Sequence, residues 1–226
     1  MDVSIIIPTL NEEENLPRLL DDVEAEMEER PETYEVIIVD GHSDDRTREI
    51  AEDHGTTVIT DDGGKGTALR EGIAAADGDT VVTMDADLSH KASELGLLIE
   101  GIDAGYDVCM GSRFIQGGGT ADMPLLRYLG NRTFVALVNL FWRTDFSDLC
   151  YGYRSFRREP FQDIALDARG FDIEAELSIK AAKHGLRILE VPSFEKERQN
   201  GDAKLRTFAD GWNILRTILL EALPGR

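Results

Sequence analysis

Two aspartates one residue apart are the clearest candidates for chemistry in this sequence. Asp85 and Asp87 follow the short apolar run Val81–Met84, which is typical of a buried strand. Side chains alternate along a strand, so a strand that continued would present both carboxylates on one face. Carboxylate oxygens in that arrangement suit Mg²⁺ or Mn²⁺ with coordination positions left open for a phosphate. A solvated turn after the strand explains the same pattern, and the pair alone does not decide between the two.

The first half of the chain alternates short apolar runs with helical patterns. This alternation predicts βαβ units, a mostly parallel sheet flanked by helices and right-handed crossovers. The predicted strands are Asp2–Pro8, Glu35–Asp40, Thr56–Thr60, Asp79–Met84 and Tyr106–Gly111, with helices after Asn15 and over Arg46–Asp53, Thr67–Ala76 and Ala92–Ala104. The aspartates that follow the strands therefore meet at the carboxyl edge of the sheet, where open α/β sheets bind ligands.

The second half of the chain has a different pattern. We predict helices over Leu125–Trp142, within Gly170–His184 and over Phe208–Leu223, a strand over Leu186–Pro192, and loops over Gln116–Thr120 and Glu195–Lys204. The first and last of these helices are amphipathic and combine tryptophan with arginine, a composition typical of helices that lie at a membrane surface. An apolar stripe that only faces the core is the alternative.

Charge divides the chain into the same two halves. The net charge is −20, with 7 Lys+Arg against 29 Asp+Glu in residues 1–112 and 17 against 15 in residues 113–226. An acidic chain lacks the basic footprint of general nucleic-acid binding, so we expect no nucleic-acid partner. Cys109 and Cys150 lack metal-type spacing and are expected to be reduced thiols. The strand pattern begins directly after Met1, so we expect no signal peptide. No apolar run reaches 18 residues, so we expect no membrane-spanning helix and a cytoplasmic location.

Several motifs in a fixed order resemble family 2 glycosyltransferases, and within them dolichyl-phosphate mannose synthases and dolichyl-phosphate glucosyltransferases. The motifs are Ile6–Glu12, Val39–Asp45, Gly64–Arg70, Asp85–His90, Gly111–Phe114, Met123–Arg127, Gly152–Arg154, Glu197–Arg198 and Lys204–Leu205. Together they cover nearly the whole chain. The resemblance implies a GT-A fold, with residues 1–112 as the donor-binding half and residues 113–226 as the acceptor and membrane-interface half of one catalytic domain.

The resemblance also implies a nucleotide-sugar site. Its expected residues are Pro8, Leu10, Glu12, Ile38, Asp40, Lys65, Asp85, Ala86, Asp87, Arg113, Arg198 and Lys204. Asp40 would accept hydrogen bonds from the base or ribose, or else cap the following helix. Lys65 and Arg113 would reach the donor, and Arg198 with Lys204 would close over it. Turn-capping or solvated charges are the alternative for these four cations.

The metal expected from the resemblance is Mg²⁺ or Mn²⁺, held by Asp85, Asp87 and Ser89. The sequence departs from the mannose synthase pattern at Gly41, Ser89 and Lys91, where aspartate, glutamine and proline are common. The donor is therefore GDP-mannose or UDP-glucose, without a decision between them. His90 is expected to orient its neighbours rather than to bind the metal.

The expected reaction is inverting transfer of a hexose to dolichyl or another polyprenyl phosphate. An ionised phosphate needs no strong base, so catalysis depends on positioning and on stabilising the leaving diphosphate. Arg127 and Asn131 are candidates for holding the acceptor phosphate, and Arg154 is a second candidate that Asp148 would orient. A hydroxyl acceptor is the alternative, with Asp148 as the base. An alternative of another class is a non-catalytic subunit that binds nucleotide sugar or membrane. For the transferase we expect a peripheral position on the cytoplasmic face, anchored by this chain or by a partner subunit.

Overall fold

A single twisted sheet organises the protein. The structure is a computed structural model that describes residues 1–121, 123–201 and 204–223. Its strands are β1 (Val3–Thr9), β2 (Tyr34–Asp40), β3 (Thr57–Thr60), β4 (Thr80–Thr83), β5 (Val108–Ser112), β6 (Gly119–Thr120), β7 (Arg154–Arg157), β8 (Ile188–Pro192) and β9 (Phe194–Glu195). Within the described ranges, seven strands form the main sheet in the order β3-β2-β1-β4-β7-β5-β8. Only β7 runs antiparallel to its neighbours, β4 and β5. The predicted α/β fold with a mostly parallel sheet is confirmed.

Helices cover both faces of this sheet. They are α1 (Leu16–Glu28), α2 (Thr47–Asp53), α3 (Lys65–Ala75), α4 (Leu95–Asp103), α5 (Leu125–Trp142), α6 (Arg158–Gln162), α7 (Ile173–Lys183) and α8 (Thr207–Glu221). Successive residues of β1 point to opposite faces, as the period of a strand requires. Ile5 and Ile7 pack with α1, α2 and α4, whereas Ile6 lies in the core formed with α3, α5, α7 and α8.

The topology gathers polar residues at one edge of the sheet. From β1 the chain proceeds to β2 and β3 on one side, and then returns to β4 on the other side of β1. Such a reversal leaves a crevice beyond the carboxyl ends of the strands. The segments that follow β1, β2, β4 and β5 begin at Leu10, Gly41, Met84 and Arg113, so all four open into this edge.

Most predicted elements are present, with differences at their ends. The helix Leu125–Trp142 has the predicted bounds, but the helix expected from Ala92 begins as the 3₁₀ turn Ala92–Glu94 and becomes α-helical at Leu95. The final helix begins at Thr207 and ends at Glu221. Residues 116–120 are not simply a loop, because Gly119–Thr120 pairs with Phe194–Glu195. Part of the predicted loop Glu195–Lys204, residues 202–203, lies outside the described residues.

Helices α5 and α8 lie side by side and expose large apolar side chains. Phe208 is 82% exposed, Leu140 72%, Leu125 71% and Trp212 65%. Trp142 is different, because it is partly buried against the core. Among the helices in the described ranges, none is both long and apolar enough to cross a membrane.

Candidate active site

The turn after β4 holds the acidic pair. The strand ends at Thr83, so Asp85 and Asp87 lie in a turn, and the alternation of a continuing strand does not apply to them. Within this turn Leu88 has a φ of 63°, in the left-handed region. Two hydrogen bonds fix this turn: Asp85 N–H donates to His90 Nδ1 at 3.0 Å, and Ser89 N–H donates to Asp87 Oδ1 at 3.0 Å. The two carboxylates are therefore placed by local backbone geometry.

His90 packs against the turn and two tyrosine rings. Its ring lies 4.7 Å from the ring centroids of both Tyr151 and Tyr153, stacked on the latter. Burial lowers the pKa of His90 and favours the neutral imidazole. Because Nδ1 accepts the Asp85 N–H, the neutral ring carries its hydrogen on Nε2, which lies 3.8 Å from Asp85 Oδ2. His90 thus orients Asp85, as expected from the sequence.

Each carboxylate of the pair contacts a cation. Lys65 Nζ lies 2.6 Å from Asp85 Oδ1 and 2.8 Å from Glu174 Oε1, and Arg198 Nη2 lies 2.7 Å from Asp87 Oδ2. Burial favours the neutral acid at Asp85, but the positive charge of Lys65 outweighs it and lowers the pKa of Asp85 to about 2. Burial opposes the charge on Lys65 as well, yet Asp85 and Glu174 raise its pKa. Lys65 and Asp85 are therefore both charged at neutral pH.

A cavity of about 460 Å³ opens on the β1–β2 side of the acidic pair. Of the residues expected to bind the nucleotide sugar, the walls include Pro8, Leu10, Glu12, Lys65, Asp85, Ala86, Asp87, Arg198 and Lys204. Lys204 Nζ contacts Glu12 Oε1 at 2.9 Å, so a residue close to the start of α8 lies against a residue that follows β1. The expected residues from both halves of the chain thus line one cavity, which we call the donor cavity.

Three of the residues expected in the nucleotide site do not line the donor cavity: Arg113, which lines a second cavity, Ile38 and Asp40. Ile38 is fully buried in the core. Asp40 is also fully buried, and its carboxylate accepts hydrogen bonds from Ser43 N–H at 2.9 Å and from the hydroxyl of Thr9 at 3.2 Å. Asp40 therefore stabilises the turn after β2 and does not cap α2, whose N-cap is Arg46, and its contact with base or ribose has no geometric support.

Asp61 lines the donor cavity, although sequence reasoning missed it. It accepts hydrogen bonds from the N–H groups of Gly63 and Gly64 at 3.0 and 2.9 Å. The signal was its place directly after β3, beside the end of β2, where Asp40 is the last residue. Asp61, rather than Asp40, is therefore the strand-end aspartate at the cavity wall.

A second cavity, of about 260 Å³, lies between α5 and α8. Its outer walls are largely apolar and include Met123, Leu126, Phe134, Phe208 and Ile214. We call it the acceptor cavity. It shares Lys65, Asp85, Asp87, Arg127, Phe171, Arg198 and Leu205 with the donor cavity. The two cavities therefore meet at the acidic pair and its two cations. Ser89, the third expected metal ligand, also lines the acceptor cavity.

The expected acceptor-phosphate residues have different environments. Arg127 lines both cavities and donates to Leu205 O at 3.2 Å and Thr207 Oγ1 at 3.3 Å. Asn131 reaches the wall of the acceptor cavity, but its amide is engaged. Its Nδ2 donates to Asp148 Oδ1 at 3.0 Å, and its Oδ1 accepts from the N–H groups of Leu149 and Cys150. Asn131 therefore fixes residues 148–150, and Arg127 is the stronger candidate for the phosphate.

Arg113 and Asp148 form a buried ion pair. The guanidinium donates through Nε to Asp148 Oδ2 at 2.7 Å and through Nη2 to Oδ1 at 2.9 Å, and its Nη1 contacts Glu195 Oε1 at 3.0 Å. Arg113 also stacks on the ring of Tyr151, 4.6 Å from its centroid. Asp148 therefore orients Arg113, which lines the acceptor cavity, and not Arg154 as expected.

Arg154 is a structural residue of the core. It is 1% exposed, lies outside both cavities and donates to the carbonyl groups of Tyr151 at 2.6 Å and Glu174 at 3.0 Å. The expectation that it holds the acceptor phosphate therefore has no geometric support, because its guanidinium faces protein carbonyls. Glu174, which contacts Lys65 in the acceptor cavity, was missed because a carboxylate in a helix has no motif of its own.

The acidic pair has the donor chemistry that a hard divalent cation prefers. Asp85 and Asp87 offer carboxylate oxygens where the cavities meet, and both already contact positive charge. Within the described ranges, no group of three or more His, Cys, Asp or Glu side chains could hold a metal. Two carboxylates suffice for Mg²⁺, which typically keeps waters and substrate phosphates in its remaining positions. The residues therefore fit a metal that arrives with a phosphorylated ligand.

Comparison with known proteins gives results consistent with this geometry. The model of glycosyl transferase family 2 matches residues 4–165. A dolichyl-phosphate hexose transferase of Haloferax volcanii is 36% identical over 226 residues, which cover 100% of this chain and 96% of that protein. A dolichol-phosphate mannosyltransferase of Pyrococcus furiosus is 35% identical over 214 residues, which cover 91% of this chain and 60% of that protein.

Solved structures share the fold. Glucosyl-3-phosphoglycerate synthase of Mycobacterium tuberculosis, crystallised with Mn²⁺, uridine diphosphate and glucosyl-3-phosphoglycerate, superimposes with a TM-score of 0.78. The alignment covers 98% of this chain and 80% of that one at 20% to 22% identity across complexes of the same enzyme. This similarity concerns the fold and identifies it as GT-A.

Proposed function

The chain belongs to glycosyl transferase family 2 and is a glycosyltransferase, and from this premise we propose that it transfers a hexose from a nucleotide diphosphate sugar to a polyprenyl phosphate such as dolichyl phosphate. The names of its relatives from Haloferax and Pyrococcus support this substrate class. The junction of the two cavities at Asp85 and Asp87 is the observation on which the proposal rests. A donor on one side and an acceptor on the other would meet at one charged centre.

The donor cavity suits a nucleotide diphosphate sugar. We assign Pro8, Leu10, Glu12 and Asp61 to the nucleoside end, which lies beyond the ends of β1 and β3. Lys65, Arg198 and Lys204 lie where a diphosphate would enter the acidic junction. A panel of donors distinguishes uridine from guanosine as the nucleoside and glucose from mannose as the sugar.

The acidic pair is the candidate site for a divalent cation. Asp85 and Asp87 would hold it, with the hydroxyl of Ser89 as a further candidate ligand. When bound, Mg²⁺ or Mn²⁺ supplies Lewis-acid neutralisation of the charge on the leaving nucleoside diphosphate. Lys65 and Arg198 supply protein-borne positive charge at the same place, which favours departure of an anion.

The acceptor cavity suits an anionic head on an apolar chain. Arg127 lies at its inner end, and the apolar side chains of α5 and α8 line the rest. In the proposed step a phosphate oxygen attacks the anomeric carbon as the bond to the diphosphate oxygen breaks, which inverts the configuration. The acceptor is already ionised at neutral pH, so the step requires no general base.

The state of the carboxylates favours a phosphate over a hydroxyl acceptor. A hydroxyl acceptor wants a carboxylate base, and Asp148 was the candidate for that role. Asp148 is fully buried and forms a bidentate pair with Arg113. Of the described carboxylates that line the acceptor cavity, Asp85 and Glu174 contact Lys65, Asp87 contacts Arg198 and Glu195 contacts Arg113.

A membrane-surface position follows from the acceptor. The lipid remains in the bilayer, so the cavity between α5 and α8 must reach the headgroup plane. Two exposed apolar residues of these helices, Leu126 and Phe208, line that cavity. We therefore propose peripheral attachment through α5 and α8 at the cytoplasmic face, with or without a membrane-anchoring partner subunit.

A donor panel tests the proposal. Purified protein is incubated with dolichyl phosphate, Mn²⁺ or Mg²⁺, and one radiolabelled donor at a time, including UDP-glucose and GDP-mannose. We expect one donor to transfer its label into the organic phase, dependent on metal and on dolichyl phosphate. Label that stays in the aqueous phase with every donor would contradict the proposal.

A further inference from the structure

The acidic pair is balanced by two cations from distant parts of the chain. Lys65 begins α3 and contacts Asp85, and Arg198 lies in the loop before α8 and contacts Asp87. All four side chains line both cavities. The carboxylates that suit a divalent cation are thus already occupied by positive charge in the protein alone.

Arg198 has hydrogen-bonding capacity beyond this pair. Its Nη2 contacts Asp87 Oδ2 at 2.7 Å, whereas its Nε is buried and has no hydrogen-bond partner among the described residues. A buried guanidinium N–H without a partner is costly. The planar fork of arginine matches the oxygens of a phosphate. Because Arg198 lines both cavities, a phosphate that enters them would give its guanidinium a second, anionic partner.

Lys65 has two carboxylate partners, and the backbone at Gly152 passes close to all three side chains. The ammonium bridges Asp85 and Glu174, and Glu174 is 3% exposed. A Cβ added at Gly152 would lie 3.1 Å from Lys65 Nζ, 3.3 Å from Glu174 Oε1 and 3.4 Å from Asp85 Oδ1. If Asp85 turned to another cation, Glu174 would still hold Lys65 beside it. Glu174 is therefore a positioning residue for Lys65.

We propose that Arg198 and Lys65 are exchangeable counter-ions that make the binding of the divalent cation and of the nucleoside diphosphate mutually dependent. This inference rests on the proposed function. A divalent cation that arrives alone must compete with both side chains and leaves two cations next to it. A diphosphate provides oxygens for Arg198 and Lys65 and so frees Asp87 and Asp85. By linkage, each ligand then strengthens the other by the same factor.

Titration of Mn²⁺ measures this dependence directly. Free Mn²⁺ is followed by electron paramagnetic resonance, with and without saturating UDP or GDP, after subtraction of Mn²⁺ held by nucleotide alone. For the unmodified protein we expect Mn²⁺ affinity to rise roughly 5- to 150-fold with the nucleotide that fits, the usual range of coupling between sites. Arg198→Gln should bind Mn²⁺ more tightly than the unmodified protein when nucleotide is absent, and should lose most of the nucleotide effect.

Two further variants make the test specific. Lys204→Gln removes a positive charge from the same loop, but Lys204 contacts Glu12 rather than the acidic pair. It should leave Mn²⁺ affinity without nucleotide close to that of the unmodified protein. Glu174→Gln keeps the shape of the side chain and leaves Asp85 as the only carboxylate on Lys65. It should weaken Mn²⁺ binding without nucleotide, in a variant that still unfolds cooperatively on heating.

Two outcomes overturn the inference. One is equal Mn²⁺ affinity of the unmodified protein with and without either nucleotide, which includes the case of no measurable binding. The other is an Arg198→Gln variant that binds Mn²⁺ no more tightly than the unmodified protein in the absence of nucleotide. Neither outcome depends on sugar transfer. Coupling without transfer to dolichyl phosphate would count against the proposed function alone, and transfer without coupling against this inference alone.

Discussion

Arg113 and Asp148 are joined by two charge-assisted hydrogen bonds of 2.7 and 2.9 Å, although they lie 35 residues apart in sequence. The pair ties the end of β5 to the segment that precedes β7. Asp148 also accepts from Asn131 at 3.0 Å, so α5 is held to the same point. The most buried carboxylate near the cavities therefore shapes the acceptor cavity, and Arg113 is the member of the pair that faces it.

Substitution of Asp148 by asparagine is expected to lower the free energy of unfolding. Removal of one member of a buried ion pair leaves the other charge uncompensated and costs about 3–5 kcal/mol. Thermal unfolding of Asp148→Asn should show this loss, and Arg113→Met in the same chain should recover part of it. A variant that unfolds like the unmodified protein but has lost transfer would instead support Asp148 as a base.

Substitution of Asp87 by alanine is expected to lower catalytic activity without unfolding the protein. The side chain lies at the cavity junction, so its removal opens no hole in the core. We expect kcat/KM to fall by more than about 100-fold, the scale of losing one group that stabilises developing charge. A chelator should abolish the activity of the unmodified protein. Turnover that persists in chelator would exclude the metal role of the acidic pair.

Substitution of Lys204 by alanine should affect the donor more than the fold. Lys204 covers the donor cavity from a partly exposed loop, and exposed ion pairs contribute only about 0–1 kcal/mol to stability. We expect a higher KM for the nucleotide sugar, an unchanged KM for the lipid and little change in melting temperature. Equal donor affinity of the variant and the unmodified protein by calorimetry would contradict this placement.

The outcome at Asp85 and Asp87 shows which features the sequence could predict. Apolar runs and the polar residues after them predict strands, their order along the chain and the edge where the site lies. Because the strand ends at Thr83, the orientation of the two aspartates depends on the turn at Leu88 and on His90. Turn geometry of this kind depends on contacts that periodicity does not describe.

Contacts between residues far apart in sequence were harder to predict than the strands and turns. Nothing local distinguishes Arg154, which donates to core carbonyls, from Arg127, which lines both cavities. The antiparallel insertion of β7 between β4 and β5 likewise depends on partners more than 40 residues away in sequence. The nucleotide-site residues of the first half were easier to place, because all but Ile38 and Asp40 lie at the end of β1, follow a strand end or begin a helix at the same edge.

The exposed apolar residues of α5 and α8 are expected to bind the membrane surface. Serine at Leu125, Leu140, Phe208 and Trp212 should reduce binding to liposomes and transfer to long-chain dolichyl phosphate. Transfer to a short, water-soluble polyprenyl phosphate should persist. Trp142 is the internal comparison, because it packs against the core and its replacement should lower stability. Equal loss with both acceptors in stable variants would contradict the membrane role.

Gly211 offers a test of the acceptor cavity itself. It lies within α8 at the cavity wall, and a Cβ placed there would have Phe134 Cζ as its nearest contact, at 4.0 Å. Gly211→Leu should fill apolar space that the lipid chain needs, at a cost of about 1.5–3 kcal/mol of lost burial. This corresponds to roughly a ten- to hundred-fold higher KM for dolichyl phosphate.

The melting temperature provides the control for Gly211→Leu, because leucine is a better helix former than glycine and the helix should not weaken. Gly211→Ala adds only a methyl group and should leave the KM for the lipid nearly unchanged. An unchanged KM in the leucine variant would place the lipid elsewhere.

The chemical form of the product tests the central claim most directly. The protein is incubated with its donor and a mixture of dolichyl phosphate, dolichol and a soluble sugar, and the glycosylated products are identified by mass spectrometry before and after mild acid. We expect the hexose only on dolichyl phosphate, as a glycosyl phosphate that mild acid cleaves. Hexose on dolichol or on the soluble sugar, in an acid-stable glycoside, would contradict the assignment of a phosphate acceptor.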